Sequence, residues 1–443
     1  MCFKGLAEGS LFREDGFSLD VYRIRFLQIN LMSKRRDKMS EKRILAWLGL
    51  FFLLLTVCLI PFTGVSAAEK NEIRVGAINS LTGMNVMTGA EQKWAYEQAV
   101  ADINKKGGVF VKNLGKKLKI KLIFADDKST AEGGAAAMER LIKVDKIDLA
   151  LSSNITPINI AAATVCEKYK VYYAICSSWL DFIEKENFKW ASDMFTSAPE
   201  AARTPFVIWE EQLPKDQRPQ RPALMMEDNQ DGQGFGEGFK AFAKQYGYTF
   251  AVADPYAPGS KDFSSHILKW KSAKVDALLW LGSPTDSITL VRQMKEANLK
   301  LKYIHGWKGF WPVEFIRALG KDANYIIMDG FWSSKSGAPG AEDLQKRFMK
   351  DHKGADSVSI GLYYANVQNF AMAIEKAGSI DSAKVRDAVF GGEFKGTMMG
   401  DVKFNEKGLC FKPFIAMQWW DGERMPVYPS VPKVWKLKLA PVK

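Results

Sequence analysis

The sequence predicts an α/β protein built as two doubly wound, Rossmann-like lobes. Two observations point there. A strand, a turn-rich loop and a helix follow one another over residues 73–108, and that β–α alternation then runs through the chain in two successive sets. No long linker or low-complexity tract separates the sets, so the lobes face each other directly across a crevice suited to a small ligand.

Taken in order, Ile73-Arg74-Val75-Gly76-Ala77-Ile78 reads as a buried strand and Asn79 to Gly89 as a loop. From Ala90 to Lys106, Ala95, Ala99 and Ile103 recur at four-residue steps with Tyr96 and Val100 beside them, one apolar helix face that Gly107-Gly108 stops. The loop Asn79-Ser80-Leu81-Thr82-Gly83 falls at a strand's carboxyl end, where ligands of parallel sheets bind. It lacks both GxGxxG and the phosphate-loop Gly-Lys-Ser/Thr, so neither a nucleotide nor any other cofactor is expected. The first set continues with strands over 119–125, 149–153 and 171–176 and helices over 131–144 and 158–169. Phe195 to Pro199 reads as a crossing strand. The second set has strands over 223–227, 249–253, 277–282 and 302–306, and helices over 235–246, 263–272 and 287–297. The run Trp419-Trp420-Asp421-Gly422-Glu423-Arg424 reads as a hairpin turn.

A chain of 443 residues suffices for two lobes with full cores. Its net charge of +12 falls to +8 once residues 1–67, with ten Lys/Arg and six Asp/Glu, are set aside. The basic residues are scattered, with no Arg-rich arm or aromatic-interleaved basic stripe, so nucleic acid is not an expected partner.

The amino-terminal residues set aside carry an export pattern. Lys42 and Arg43 precede an uninterrupted apolar run, Ile44 to Ile60, which Pro61 breaks; Val65-Ser66-Ala67-Ala68 then offers small residues for cleavage after Ala67 or Ala68. This is the pattern of a secretory signal peptide over 39–68, with Met39 at its start and residues 1–38 as an upstream extension. Seventeen apolar residues nearly span a bilayer, so a membrane anchor is the alternative; Pro61 and the small-residue exit favour cleavage. Lipidation at Cys58 is disfavoured by the bulk of Val57 before it. The exported chain keeps Cys166, Cys176 and Cys410, read as buried free thiols.

Three further stretches carry a family likeness. They are Glu97 to Gly108 on the first long helix, Phe235-Gly236-Glu237-Gly238 opening a second-lobe helix, and Pro258 to Ser264 opening another. With Gly400 to Gly408 they resemble, in order, the branched-chain amino-acid (leucine/isoleucine/valine) binding proteins, the extracytoplasmic receptors of ABC importers. The resemblance spans about 72–424. It implies the type I periplasmic binding protein fold, with three crossings near 195–199, 326–330 and 400–404. Lobe 1 then comprises 69–196 plus 327–400, and lobe 2 comprises 197–326 plus 401–443. It also implies a periplasmic location, hinge closure on a small-molecule ligand, and membrane permease subunits as partners.

The resemblance also assigns a pocket. Thr156, followed by Pro157, stands where the family holds the ligand carboxylate with a hydroxyl; alternatively it caps a helix. Ser177, Ser178 and Trp179 align with the next ligand segment, Trp179 either stacking on a flat ligand or filling the crevice. Phe235 matches a pocket aromatic, and its alternative is core packing. Ser283 and Thr88 fall at two further aromatic positions of the family and are smaller. Lys308 departs most, because amino-acid-binding members place an acid there for the ligand's ammonium. A Lys in that place implies a carboxylate or other acceptor-rich ligand lacking that ammonium, an aromatic acid among the candidates, with Lys308 as counter-ion and Trp179 and Trp307 as stacking partners. If Lys308 points elsewhere, Asp286 or Glu227 serves an amino acid instead.

An enzyme is not expected. His266, His305 and His352 lack metal-ligand spacing, the adjacent pair Asp126-Asp127 faces opposite ways on a strand, and no GxSxG elbow occurs. The rival function is a ligand-sensing module working with a separate membrane signalling partner, since one fold serves both.

Overall fold

The computed structural model describes residues 70–428 and 435–442; the readings made for residues 1–69 lie outside them. Among the described residues, no helix is long and apolar enough to cross a membrane.

The first lobe is a seven-stranded sheet ordered β14-β6-β5-β4-β1-β3-β2. Its strands are β1 (Glu72–Asn79), β2 (Val109–Val111), β3 (Lys116–Asp126), β4 (Leu149–Leu151), β5 (Tyr173–Cys176), β6 (Ala191–Phe195) and β14 (Leu409–Phe411). All neighbours pair in parallel except β2 with β3. Ile73, Val75, Ala77 and Ile78 of β1 are fully buried, as a strand covered on both faces requires. Its helices are α1 (Val86–Lys105), α2 (Ala131–Lys143), α3 (Thr156–Tyr169) and α4 (Leu180–Glu186).

The second lobe begins with α5 (Ala198–Gln212) and holds the sheet β16-β15-β11-β10-β9-β7-β8. Five strands are parallel: β7 (Pro222–Glu227), β8 (Val252–Tyr256), β9 (Ala277–Leu281), β10 (Tyr303–Gly306) and β11 (Ile326–Gly330). The hairpin of β15 (Ile415–Trp420) and β16 (Glu423–Tyr428) adds antiparallel at its edge. Asp421 and Gly422, both at positive φ, make its turn. The helices here are α6 (Gln230–Gln245), α7 (Ser264–Ser272), α8 (Pro284–Glu296) and α9 (Val313–Leu319). The chain then returns to the first lobe for α10 (Ala341–Asp351), α11 (Ile360–Ala377), α12 (Ser382–Val389) and a ribbon of β12 (Glu393–Thr397) and β13 (Gly400–Lys403).

Two expected crossings shift. Residues 326–330 belong to the second sheet, because β11 pairs in register with both β10 and β15. The third crossing lies at 412–414, not near 400–404, since Leu409–Phe411 still pairs with Asp193–Phe195 of the first sheet. The first is confined to 196–197: β6 ends at Phe195, and Ser197 accepts the Glu200 N–H to cap α5. Cys166, Cys176 and Cys410 are buried free thiols.

In each sheet one strand is flanked by the next two parallel strands of the chain, β1 by β3 and β4, β7 by β8 and β9. The following connections leave from the carboxyl ends of these strands in opposite directions and open a crevice there. Asn79 ends β1 and Glu227 ends β7, so a polar strand end stands at the base of each crevice.

Candidate functional site

The two crevices meet in a cleft lined by Asn85, Thr88, Asn154, Ile155, Thr156, Ser177, Trp179, Phe195 and Tyr363 from the first lobe. The second lobe contributes Leu281, Pro284, Trp307, Lys308 and Trp311. Its empty space is about 500 Å3 counting the mouth, but most of that is too slender for more than a water molecule. In this conformation the lobes are closed down on each other.

On the first-lobe side, two helix N-termini open toward the cleft. Asn85 precedes α1 and Ile155 precedes α3, and neither side chain caps its helix. First-turn N–H groups left without a side-chain acceptor, together with the helix dipole, suit an anion. Thr156 is therefore not the cap; its hydroxyl accepts the Trp179 N–H at 3.2 Å and ties the start of α3 to the β5–α4 loop. Beside it, Asn154 Nδ2 donates to Thr88 Oγ1 (2.6 Å), which in turn donates to the Asn85 carbonyl (2.9 Å). Ser177 lies in the left-handed region at φ 70°, a strained conformation for a residue with a side chain. It is buried, and its hydroxyl has no hydrogen-bond partner of normal geometry among the described residues. Tyr363, from α11, closes that side; burial pushes its phenol well up, so it stands as a neutral donor.

Behind this layer Asp127 accepts from Ser80 Oγ at 2.8 Å and from Ser153 Oγ, and burial raises its carboxyl. Its neighbour Asp126 instead turns to the loop, accepting from Thr82 Oγ1 (2.7 Å) and from the Leu81 and Thr82 N–H groups.

The second-lobe wall is aromatic and basic. Trp307 is fully buried and stacks on His305, with ring centroids 4.9 Å apart and planes 10° apart, so one of its faces is already occupied. His305 bonds Tyr303 through Nδ1 (2.7 Å) and Asp329 through Nε2 (3.0 Å), fixing the ring that supports Trp307. Lys308 begins a short 3-10 turn and places Nζ 2.7 Å from Glu227 Oε2. Glu227 is 2% exposed and also accepts from Asn229 Nδ2 at 3.0 Å. Lys308 thus meets a carboxylate of its own chain, which corrects its expected role as a counter-ion reserved for the ligand. Asp286 is turned away, accepting from Tyr256 Oη (3.0 Å) and the Gly259 N–H (2.9 Å).

The structure brings six sequence-predicted residues to this cleft: Thr88, Thr156, Ser177, Trp179, Trp307 and Lys308. Three others do not line it. Ser178 is buried and accepts from Asn159 Nδ2 at 2.9 Å. Ser283 is the N-cap of α8, accepting the Asp286 N–H at 3.2 Å. Phe235 lies one layer back, its ring 5.0 Å from Trp179 and 4.8 Å from Trp307, where it buttresses both walls. Sequence reasoning missed Asn85, Asn154, Phe195, Trp311 and Tyr363. Asn154 carried a signal, following directly on the strand read over 149–153, whereas Phe195 was read as the start of a crossing strand and instead ends β6. Tyr363 carried none, since its helix lies in a stretch where no element was assigned.

The chain's relatives agree with this fold. The periplasmic binding protein family model matches residues 72–423. A Leu/Ile/Val-binding protein homologue of Brucella melitensis is 26% identical over 375 residues, covering 84% of this chain and 98% of its own. Among solved structures, the branched-chain amino acid binding protein LivJ of Streptococcus pneumoniae, in complex with isoleucine, superposes with a TM-score of 0.71. It shares 19% identity, over 80% of this chain and 98% of its own. A solute-binding protein of an ABC transporter from R. palustris, in complex with benzoate, gives 0.70 at 15% identity, over 83% and 96%. The chain is similar to Leu/Ile/Val-binding proteins and belongs to the periplasmic binding protein family, whose members are substrate-binding proteins and not enzymes.

Proposed function

We propose that this protein is the extracytoplasmic substrate-binding component of an ABC importer, and that it closes on a small carboxylate lacking a free ammonium for delivery to a membrane permease. The observation that carries the ligand class is the composition of the cleft. Among the described residues its lining includes one cation, Lys308, and no Asp or Glu. Uncapped starts of α1 and α3, the Ser177 hydroxyl and the Asn154 amide supply donors on one side, and aromatic rings form much of the rest. A lining richer in donors than in acceptors selects an acceptor-rich ligand, and the rings favour a flat or bulky one. The two neighbours bracket this reading, one bound to isoleucine and one to benzoate; the absence of an acid in the lining favours the second chemistry.

Closure follows from the same geometry. A carboxylate at the first-lobe helix starts and an apolar body against the second-lobe wall make contacts with both lobes only when they are together. Differential affinity of about 5.5 kcal/mol converts a 1:99 closed population to 99:1. The test is a thermal-shift screen on the exported protein, unfolded and refolded to strip carried-over ligand. Aromatic carboxylates, short dicarboxylates, amides and aliphatic amino acids form the panel. Binding raises stability by about 2.7 kcal/mol at one hundred times Kd. A shift with carboxylates that lack an ammonium is expected; a shift with leucine or isoleucine alone overturns the ligand class.

A further inference from the structure

We infer that Glu227 is the acid of an ammonium subsite in the cleft wall and that Lys308 is its built-in occupant, so that this one side chain excludes ligands bearing a basic nitrogen. The inference rests on the cleft being the ligand site, and it assigns the residue that sets ligand class there.

Glu227 ends β7 at the point where the second sheet reverses direction, the position at which parallel sheets present side chains to ligands. It does not itself line the cleft; Lys308 does, and its Nζ reaches back 2.7 Å to Glu227 Oε2. The lysine side chain therefore fills the path between the open space and a nearly fully buried carboxylate. Stability alone gives little reason for such a pair, because desolvating two charges commonly offsets their attraction. Specificity gives a better one. A lysine ammonium is a compact charge with three donors, the same group that a primary amine ligand carries. While it is seated, an incoming ammonium meets Lys308 as a like charge and finds no other acid in the lining. Asn229, donating to Glu227 Oε2, holds the carboxylate in place whichever ammonium is present. The other nearby acid, Asp286, is engaged by Tyr256 and Gly259.

Shortening Lys308 leaves Glu227 buried without its partner and opens the path to it. Lys308→Ala and the double variant Lys308→Ala/Glu227→Gln are compared with the wild type by thermal shift and calorimetry. The probes are n-propylammonium, isoleucine and 3-methylpentanoate, the last being isoleucine without its ammonium. Lys308→Ala is expected to gain at least tenfold affinity for n-propylammonium, which fills the vacated arm, and to prefer isoleucine over 3-methylpentanoate. The double variant is expected to lose both gains. No gain in Lys308→Ala, or an equal gain in the double variant, overturns the inference.

Glu227→Gln supplies a reading that survives poor folding of Lys308→Ala. It keeps the lysine and removes its acid, so carboxylate affinity is expected to rise about tenfold without any gain for ammonium probes; unchanged or weakened carboxylate binding counts against the pair. The two conclusions fail separately. A wild type silent to every carboxylate overturns the functional reading, whereas the n-propylammonium result in Lys308→Ala tests the pair by itself.

Discussion

At the scale of single residues, burial sets the chemistry: Lys308 and Glu227, with side chains 13% and 2% exposed, meet 2.7 Å apart. Trp179 and Lys308 were legible as cleft residues through the family resemblance, which aligns both of them just beyond strand ends. Phe235 and Ser283 were not, because whether a helix-opening residue faces the cleft or the layer behind depends on a rotation of about 100° per residue. The partner of Lys308 was equally hidden, since Glu227 is 81 positions away. Glu91 shows how strongly such context acts. It lies on α1, 2% exposed, accepting from Ser359 Oγ at 2.8 Å and from Ser357 Oγ. Burial pushes its carboxyl up to about 7, against the opposing pull of Arg424 from the second lobe and of the two hydroxyls. A carboxyl raised above its unfolded value of 4.5 contributes stability that is complete below that value and is lost as pH rises through 7. Glu91→Gln removes this dependence. The stability of the variant relative to wild type should therefore climb between pH 4.5 and 8, by on the order of 3 kcal/mol at most. Urea unfolding at the two pH values measures it, other titrations cancelling in the difference; parallel profiles would contradict a raised Glu91.

At the scale of elements, the β–α alternation was readable because buried parallel strands are short apolar runs and the helices between them keep a period near 3.6. Helix starts were less so. The first long helix begins at Val86, four residues before the sequence pattern suggests, because Thr88 and Gly89 are weak helix formers. Glycine is required there by tertiary contact: a Cβ on Gly89 would collide with the Ser80 carbonyl. The same close approach fixes the turn that carries Lys308. A Cβ on Gly309 would clash with Ser287 Oγ and sit 2.6 Å from the Gly282 carbonyl and 2.9 Å from that of Ser283. Ser287 Oγ cannot yield easily, since it accepts from Trp280 Nε1 and donates to Ser283 O, both at 2.7 Å. Gly309→Ala is thus expected to cost about 1–3 kcal/mol in urea unfolding, the usual range for overpacking. It should also displace Lys308 from Glu227 and so weaken ligand binding. An unchanged unfolding midpoint would mean that the turn lifts off α8 without penalty.

At the scale of the whole molecule, the crossings decide how the lobes move, and each contributes one phenylalanine to a shared cluster. Phe195 ends the last strand before the first crossing, Phe331 follows β11 at the second, and Phe414 precedes β15 at the third. Their ring centroids lie 4.3 Å apart for Phe195–Phe331, 4.9 Å for Phe331–Phe414 and 6.1 Å for Phe195–Phe414. Trp179 from the first lobe and Trp311 from the second pack against this cluster, Trp179 at 5.4 Å from Phe195 and Trp311 at 4.6 Å from Phe331. The hinge and the cleft walls are therefore one continuous aromatic body, and opening the lobes must part some of these rings. No local pattern disclosed this, since the three phenylalanines are distant in sequence and meet only after both sheets have formed. Phe414→Ala removes a buried ring that touches Phe195, Phe331 and Trp179. Truncating a buried Phe costs about 3–5 kcal/mol in general. Part of that loss is expected to fall on the closed arrangement alone, because Trp179 of the first lobe meets a ring that directly precedes β15 of the second sheet. The variant without ligand should accordingly populate the open form more than wild type does. Small-angle scattering should record a larger radius of gyration, and a saturating ligand identified by the screen should return it to the wild-type value at an affinity lowered by the extra closing cost. Equal radii for the ligand-free proteins, with only global stability reduced, would assign the cluster to the fold and not to the hinge.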